Sequence, residues 1–293
     1  MDVKAIYINT YKYDFSFAKI CIASIRYWYP DIPILLIKDM GAGEFDTSMV
    51  ERKLNVSVFE THGKSFGWGF GKFEPLFGNG NETFLFMDSD TVMIGPILDK
   101  VDGLNTQFIV DDEDLPIEKI KNLYYHPEMI GDIIEEFEFP GYCFNTGQWI
   151  GTSGILKRSD FEQVLTWNPR PTLKYPNIFK QADQGIFNFI LHLKASTGNL
   201  SVRRMPLMIW PDKGKADYIE LEAIRKKEGK YPMIIHWAGM KSRHMTGLPR
   251  ADILEFFQEY YYSLVGKSFR IYDHFKDDYY HWEAIIKKKL RNR

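Results

Sequence analysis

The sequence predicts an α/β fold, a parallel sheet with covering helices. Three observations carry that prediction. Short apolar runs of strand length alternate with segments whose apolar residues recur at helical spacing. Some of those runs stop abruptly in acidic residues, as strands of an open sheet do at their exposed tips; Phe84-Leu85-Phe86-Met87-Asp88-Ser89-Asp90-Thr91-Val92 is the clearest. With 293 residues, 45% hydrophobic and 26% charged, the chain is long and apolar enough for a large core, and no repeat, low-complexity tract or linker divides it.

Taken in order, Val3 to Ile8 reads as the first strand. Asp14 is placed to cap a helix with apolar residues at Phe17, Ile20, Cys21, Ile25 and Trp28, ended by Pro30 and Pro33. Ile34 to Ile37 is a second, buried strand; a short helix near Thr47–Leu54 and a strand at Val56–Phe59 follow. Gly63 to Gly80 reads as a loop with a short helix from Lys72 to Phe77, and the next strand ends at Asp88. Phe108-Ile109-Val110 runs into Asp111-Asp112 in the same way. Residues 116–138 read as helical. Cys143 to Leu156, broken by Gly147, Gly151 and Gly154, reads as strands with close backbone approaches. Helices are expected at Asp160–Trp167 and Asp183–Leu193, and strands within Val202–Ile209 and Met233–His236. From Arg250 the chain is helical, aromatic and finally basic, ending in Lys287-Lys288-Lys289-Leu290-Arg291-Asn292-Arg293.

Composition narrows the function. A net charge of -2 gives no basic field for nucleic acid. Aromatic residues make up 16%, a high share; much of it must be core, but exposed Trp and Tyr also suit stacking on bases and sugar faces. Cys21 and Cys143 sit in apolar surroundings and are expected to be buried free thiols. No leader and no apolar stretch of bilayer length is apparent, so a cytoplasmic enzyme is expected.

Four short segments carry chemistry. On an extended backbone Asp88 and Asp90 point the same way and could address one hard cation, Mg²⁺ or Mn²⁺. Met233 to Lys241 is a second apolar strand ending in a potential ligand, His236. Gly239 would let the backbone approach a diphosphate and Lys241 would meet its charge. Phe144-Asn145-Thr146-Gly147 offers short polar groups for sugar hydroxyls. In Ala182-Asp183-Gln184-Gly185, Asp183 could cap a helix, or with Gln184 grip a polyhydroxylated substrate.

These segments, in this order, resemble the GT-A glycosyltransferases, most closely the family 8 type (glycogenin and the bacterial lipopolysaccharide galactosyl- and glucosyltransferases). The resemblance covers roughly residues 3 to 245. It implies a mixed, mainly parallel Rossmann-like sheet flanked by helices. The catalytic, nucleotide-sugar-binding domain would span 1–245, and a helical extension 246–293. It implies that Asp88, Asp90 and His236 bind Mn²⁺ or Mg²⁺, that Lys241 and the Gly239 backbone contact the diphosphate, and that Asn9-Thr10-Tyr11 hold base and ribose. Ser89 joins the nucleotide-binding residues and Lys72 lies near the sugar phosphate. Asn145, Asp183 and Gln184 line the donor-sugar or acceptor pocket. The donor implied is a UDP-sugar, the reaction hexosyl transfer with retention, and the acceptor a hydroxyl on a glycan, glycolipid or protein. Two departures stand out. One residue is missing between Gly239 and Lys241, which makes Arg243 an alternative phosphate contact, and Gln148-Trp149 replace the usual aliphatics.

Inverting transfer would instead need a base, and Asp183 or Asp112 is the candidate. A haloacid-dehalogenase-type phosphatase also starts from an apolar strand and Asp-x-Asp, with Asp88 as nucleophile. There, however, the motif opens the domain, whereas here strands precede it. A non-catalytic nucleotide-sugar-binding module is the third reading. The aromatic and basic C-terminus suits either a packed helix or peripheral membrane contact.

Overall fold

The computed structural model describes residues 1–61, 65–67, 69–135, 137–168, 170–240 and 245–291. The chain begins with β1 (Val3–Tyr11), α1 (Phe15–Trp28), β2 (Ile34–Asp39), α2 (Ser48–Leu54) and β3 (Val56–Phe59). A 3₁₀ helix (Phe70–Phe77) leads into β4 (Thr83–Asp88), β5 (Thr91–Met93), α3 (Ile97–Val101), β6 (Phe108–Asp111) and α4 (Ile117–Leu123). Then come β7 (Gln148–Thr152), α5 (Arg158–Phe161), β8 (Leu165–Thr166), β9 (Thr172–Leu173), α6 (Asp183–Ser196) and β10 (Val202–Met205). The chain closes with β11 (Met208–Ile209), α7 (Leu221–Arg225), β12 (Ile234–His236), α8 (Ala251–Val265) and α9 (Phe269–Arg291). The main sheet is mixed and mainly parallel, as expected.

Two compact units divide these elements. The first holds Met1–Tyr7, Lys64–Met87 and Val101–Leu207. Its strands run β10-β6-β7-β4-β1, with β10 parallel to β6 and β7 antiparallel to both β6 and β4. The reversed strand carries the core. Trp149 is fully buried, stacked on Phe86 with ring centroids 5.3 Å apart and tilted against Phe187 of α6 at 4.8 Å. Gly151 lies opposite Phe108, where a Cβ would come within 2.6 Å of that ring, so only glycine leaves the ring its place.

The second unit holds Ile8–Gly63, Asp88–Lys100 and Met208–Arg293. The later half of β1 leads to β2 and then β3, and β2 and β3 pair in parallel from Ile34↔Val56 to Ile37↔Phe59. A second sheet has the order β11-β12-β5. Helix α1 holds β5 by polar contacts: the Met93 N–H donates to Ser24 Oγ (3.0 Å) and Trp28 Nε1 donates to the Met93 carbonyl (3.2 Å). Its apolar face joins Val92, Ile235 and Trp237 with Ile253, Leu254 and Phe257 of α8 in one core.

Four expectations are corrected. Asp14 occupies the N-cap position of α1, but its side chain turns back, accepting from Thr10 Oγ1 and the Tyr11 N–H at 2.9 Å each. The helix expected over Asp160–Trp167 is one turn, α5, followed by the β8–β9 hairpin. Val164, Thr166 and Thr172 favour extended backbone there, and the Arg158 guanidinium packs on the Phe77 and Trp167 rings at 4.7 and 4.8 Å. The stretch 116–138 breaks after α4: Pro127 starts a separate 3₁₀ turn, Pro127–Asp132. Between Cys143 and Leu156 the described strand is β7 alone. Both thiols are free and buried, as expected, and burial lifts the Cys21 pKa to about 12.

In the first unit, His192 of α6 is buried with its Nδ1 2.8 Å from the Tyr125 hydroxyl. Burial, then the positive charge of Arg204, lowers its pKa to about 3. The native imidazole therefore stays neutral while the unfolded one protonates below about 6.5. Stability from this residue is complete above pH 6.5 and is lost as pH falls from there toward 3. Unfolding free energies from urea titration across that window should rise with pH more steeply, by about 1.4 kcal/mol per pH unit, than in His192→Gln.

Candidate metal centre and polar cluster

In the second unit, the end of β4 turns into β5 through Ser89 and Asp90. The turn is held from several sides. Thr91 Oγ1 donates to the Asp88 carbonyl (2.7 Å), and the buried Cys21 thiol lies 3.7 Å from that hydroxyl. Strand β5 pairs antiparallel with β12, setting His236 opposite Thr91. The Trp237 N–H then donates to the Asp90 carbonyl at 2.9 Å. Two strands that are remote in sequence thus end side by side, each carrying a ligand-type residue at its tip.

The result is a convergent set. Asp88, Asp90 and His236 each offer a ligand atom within 4.8 Å of the others. His236 Nε2 is 3.2 Å from Asp90 Oδ1, close to the roughly 3 Å between neighbouring ligands of an octahedral Mg²⁺ or Mn²⁺. Two carboxylate oxygens suit those ions, and the softer imidazole matches Mn²⁺ better than Mg²⁺. His236 is 3% exposed, and the Trp210 ring stacks on it with centroids 5.4 Å apart and planes 17° apart, which fixes the imidazole plane. Its Nδ1 is buried without a hydrogen-bond partner. The residues fit a divalent cation in both donor type and spacing. Among the described residues, no other His, Cys, Asp and Glu group does so.

The rest of the second-unit prediction is mixed. Ser89 is buried in the turn, and Gly239 has φ +72°, a left-handed conformation that favours glycine. Lys241 and Arg243 lie outside the described residues. Asn9, Thr10 and Tyr11 belong to β1 itself; the Thr10 hydroxyl is spent on Asp14, whereas Asn9 Oδ1 is buried with no partner.

The first unit gathers Lys72, Asn145, Thr146, Asp183 and Gln184. Lys72, nearly buried, pairs with Asp183 at 2.7 Å and donates to the Thr146 carbonyl at 3.2 Å. Thr146 Oγ1 donates to Asp183 at 3.3 Å. Asn145 Nδ2 donates to Gln184 Oε1 at 3.3 Å. Asp183 therefore serves as an ion-pair partner and does not cap α6. The chain enters that helix through two residues at positive φ, Gln181 (46°) and Ala182 (38°). Neither is glycine, so the approach to Asp183 is strained, and strain of this kind gathers at functional sites. Gly69, also at positive φ, brings backbone against the carboxylate; a Cβ there would lie 2.6 Å from Asp183.

Sequence reasoning placed Thr146 only within the Phe144–Gly147 segment, and it missed Asn188 and Trp210. Asn188 donates to the Phe144 carbonyl and accepts from the Phe144 N–H, both at 2.9 Å, clamping the Asn145 loop to α6. Its only sequence signal is its place one turn after Gln184 on the same helix face. Trp210 had none, because it adjoins His236 only through the parallel pairing of β11 with β12. A cavity of about 460 Å³ near Phe66, Arg158 and Trp167 includes none of the predicted residues.

No family profile matches this chain, and no curated protein matches it by sequence. Solved structures do match in fold. The bifunctional glycosyltransferase WbbM is 14% identical, with a TM-score of 0.59 over 93% of this chain and 51% of WbbM. This chain therefore spans about half the length of WbbM. The galactosyltransferase LgtC, solved with donor and acceptor sugar analogues, is 15% identical, with a TM-score of 0.56 over 89% of this chain and 96% of LgtC. GlyE of Streptococcus pneumoniae is 12% identical, with a TM-score of 0.51 over 94% of this chain and 64% of GlyE. The fold is the GT-A glycosyltransferase fold.

Removing the hydroxyl that braces the Asp88 turn should loosen the carboxylates above it. Thr91→Val is expected to cost about 1–2 kcal/mol of stability in urea titration. It should also weaken Mn²⁺ binding, read by the electron paramagnetic resonance of the free ion, by roughly 10- to 100-fold.

Proposed function

We propose that this chain is a metal-dependent glycosyltransferase that moves a hexose from a UDP-sugar to a hydroxyl acceptor with retention. One observation carries the reading: Asp88, Asp90 and His236 converge at two strand tips of a GT-A fold. A divalent cation held by them would supply positive charge for a departing diphosphate. That set would be reinforced by the Gly239 backbone and by Lys241. Asn9 would meet the base, and its unpartnered buried Oδ1 suits an imide N–H such as that of uracil. Thr10, Tyr11 and Ser89 belong to the same nucleotide site in this reading.

In the first unit, Lys72, Asn145, Asp183 and Gln184 supply charged and amide groups for sugar hydroxyls. The proposal of retention rests on how the acidic side chains are occupied. Asp183 is tied to Lys72 at 2.7 Å, and Asp112 pairs with Arg204 at 2.6 Å. Each would give up an ion pair on taking the acceptor proton, so neither is a ready base for inversion. Positioning and electrostatic stabilisation then carry the reaction. The catalytic region is 1–245 in this reading, with 246–293 an extension. The donor's hexose is glucose or galactose, the acceptor a glycan, glycolipid or protein, and the compartment the cytoplasm.

Calorimetric titration of UDP into the protein should show binding with Mn²⁺ that is abolished by EDTA and by Asp90→Ala. Lys72→Met should retain UDP binding but lower transfer or donor hydrolysis by about 10²–10³-fold. Absence of UDP binding with Mn²⁺ would sink the reading. Hydrolysis of an aryl phosphate without any nucleotide sugar would favour Asp88 as a phosphatase nucleophile instead.

A further inference from the structure

The cavity of about 460 Å³ in the first unit lies within the range of small-ligand sites, about 300–1,000 Å³. It is lined by Ser65 and Phe66, which precede the 3₁₀ helix, by Arg158 of α5, and by Trp167, Asn168 and Arg170 of the loop that joins β8 to β9. None of these residues belongs to the Lys72–Asp183 cluster. At three residues per turn, Glu74 and Phe77 share one face of the 3₁₀ helix and Lys72 stands about 120° away. One short helix therefore holds Lys72 against Asp183 and turns a different face, Glu74 and Phe77, to Arg158.

The lining carries more positive than negative charge. Arg158 is fixed in place: its Nη2 donates to both Glu74 carboxylate oxygens, at 2.7 and 2.5 Å, and its guanidinium packs on the Phe77 and Trp167 rings. Trp167 is fixed in turn, because its Nε1 donates to the Arg158 carbonyl at 3.2 Å. The Arg158 Nε and Nη1 donors have no acceptor among the described residues. Arg170 is exposed and, among the described residues, has no ion-pair partner. One carboxylate, Glu74, thus stands against two guanidiniums.

We propose that this cavity binds a sugar residue bearing an anionic group, a carboxylate or a phosphate, on the glycan that accepts the transferred hexose. A guanidinium is a planar fork that meets either oxyanion with two hydrogen bonds, and Arg158 is already held in position for one. Trp167 offers an apolar ring for the C–H face of a sugar, and Ser65 and Asn168 supply a hydroxyl and an amide for its hydroxyls. An anion alone would need no aromatic ring, and a neutral sugar would need no unpaired guanidinium. Phe66 precedes Gly69 by three residues, and Gly69 abuts Asp183. At most about 11 Å of chain therefore separates the cavity from the polar cluster. The acceptor role rests on the transferase reading; the binding itself does not.

The test is binding to the full chain by saturation-transfer NMR and calorimetry, in EDTA and without nucleotide, so that the Asp88–His236 centre takes no part. The probes are methyl glucuronide, glucose 6-phosphate, methyl glucoside and inorganic phosphate. One or both anionic sugars should bind at least tenfold more tightly than methyl glucoside or inorganic phosphate, and which of them binds tells carboxylate from phosphate. High salt should weaken that binding. Arg170→Glu should lower the affinity tenfold or more, and Asn168→Ala roughly two- to tenfold. Circular dichroism and the melting temperature should stay at wild-type values in both, since both side chains are exposed. Failure of both anionic sugars to bind overturns the proposal, as does affinity that Arg170→Glu leaves unchanged. Inorganic phosphate binding as tightly as the anionic sugars also overturns it, in favour of a simple anion site. Titration of UDP with Mn²⁺ is read separately: its failure removes the acceptor role while sugar binding in the cavity stands.

Discussion

The candidate metal centre depends on one strand contact, the antiparallel pairing of β5 with β12. That pairing sets His236 opposite Thr91 and lets the Trp237 N–H close on the Asp90 carbonyl. Without it, Asp88 and Asp90 would be a solvated acidic turn and His236 a buried imidazole with an orphaned nitrogen. The apolar core supports the contact from below. Val92 and Ile235 pack with α1 and α8, and Ser24 and Trp28 take up both polar groups of the Met93 backbone. Burial of hydrocarbon here sets the position of charged groups at the surface, and that position is what a hard cation would require.

The first unit solves a different problem, holding a lysine and an aspartate almost out of water. Removing one partner of such a pair leaves the other charge buried alone, which typically costs about 3–5 kcal/mol. Thr146 adds a hydrogen bond to each, and the Phe86 ring lies 5.4 Å from the Lys72 ammonium. The backbone meets a cost as well. Gln181 and Ala182 adopt positive φ to start α6 where Asp183 meets Lys72, and Gly69 yields the space that a side chain would take. Stability alone gives no reason to keep a strained entry and an ion pair where an apolar packing would serve. Preorganising polar groups toward a ligand does.

Much of this was legible in the chain because the physics is local. The spacing of Phe17, Ile20, Cys21, Ile25 and Trp28 specifies α1, and the uninterrupted apolar run before Asp88 specifies β4 with its ligands at the exposed tip. Val56–Phe59 was read to the residue. The failures share a cause. Residues 160–167 have a weak helical pattern that pairing with Thr172–Leu173 overrides, and Asp14 and Asp183 look like caps until their side chains find better partners in Thr10 and Lys72. Propensity and capping are small local preferences, and a single tertiary hydrogen bond or ion pair outweighs them.

By itself, then, the sequence determined the α/β class, the order of the principal strands and helices, and which residue types stand at the strand tips, since apolar periodicity and chain punctuation are enough for that. Only the tertiary structure decided that Asp90 and His236 meet, that Trp210 stacks on the imidazole and that Lys72 closes on Asp183. Those contacts join residues far apart in the chain through strand register and helix packing. Register is a property of two segments together, and no single stretch of sequence contains it.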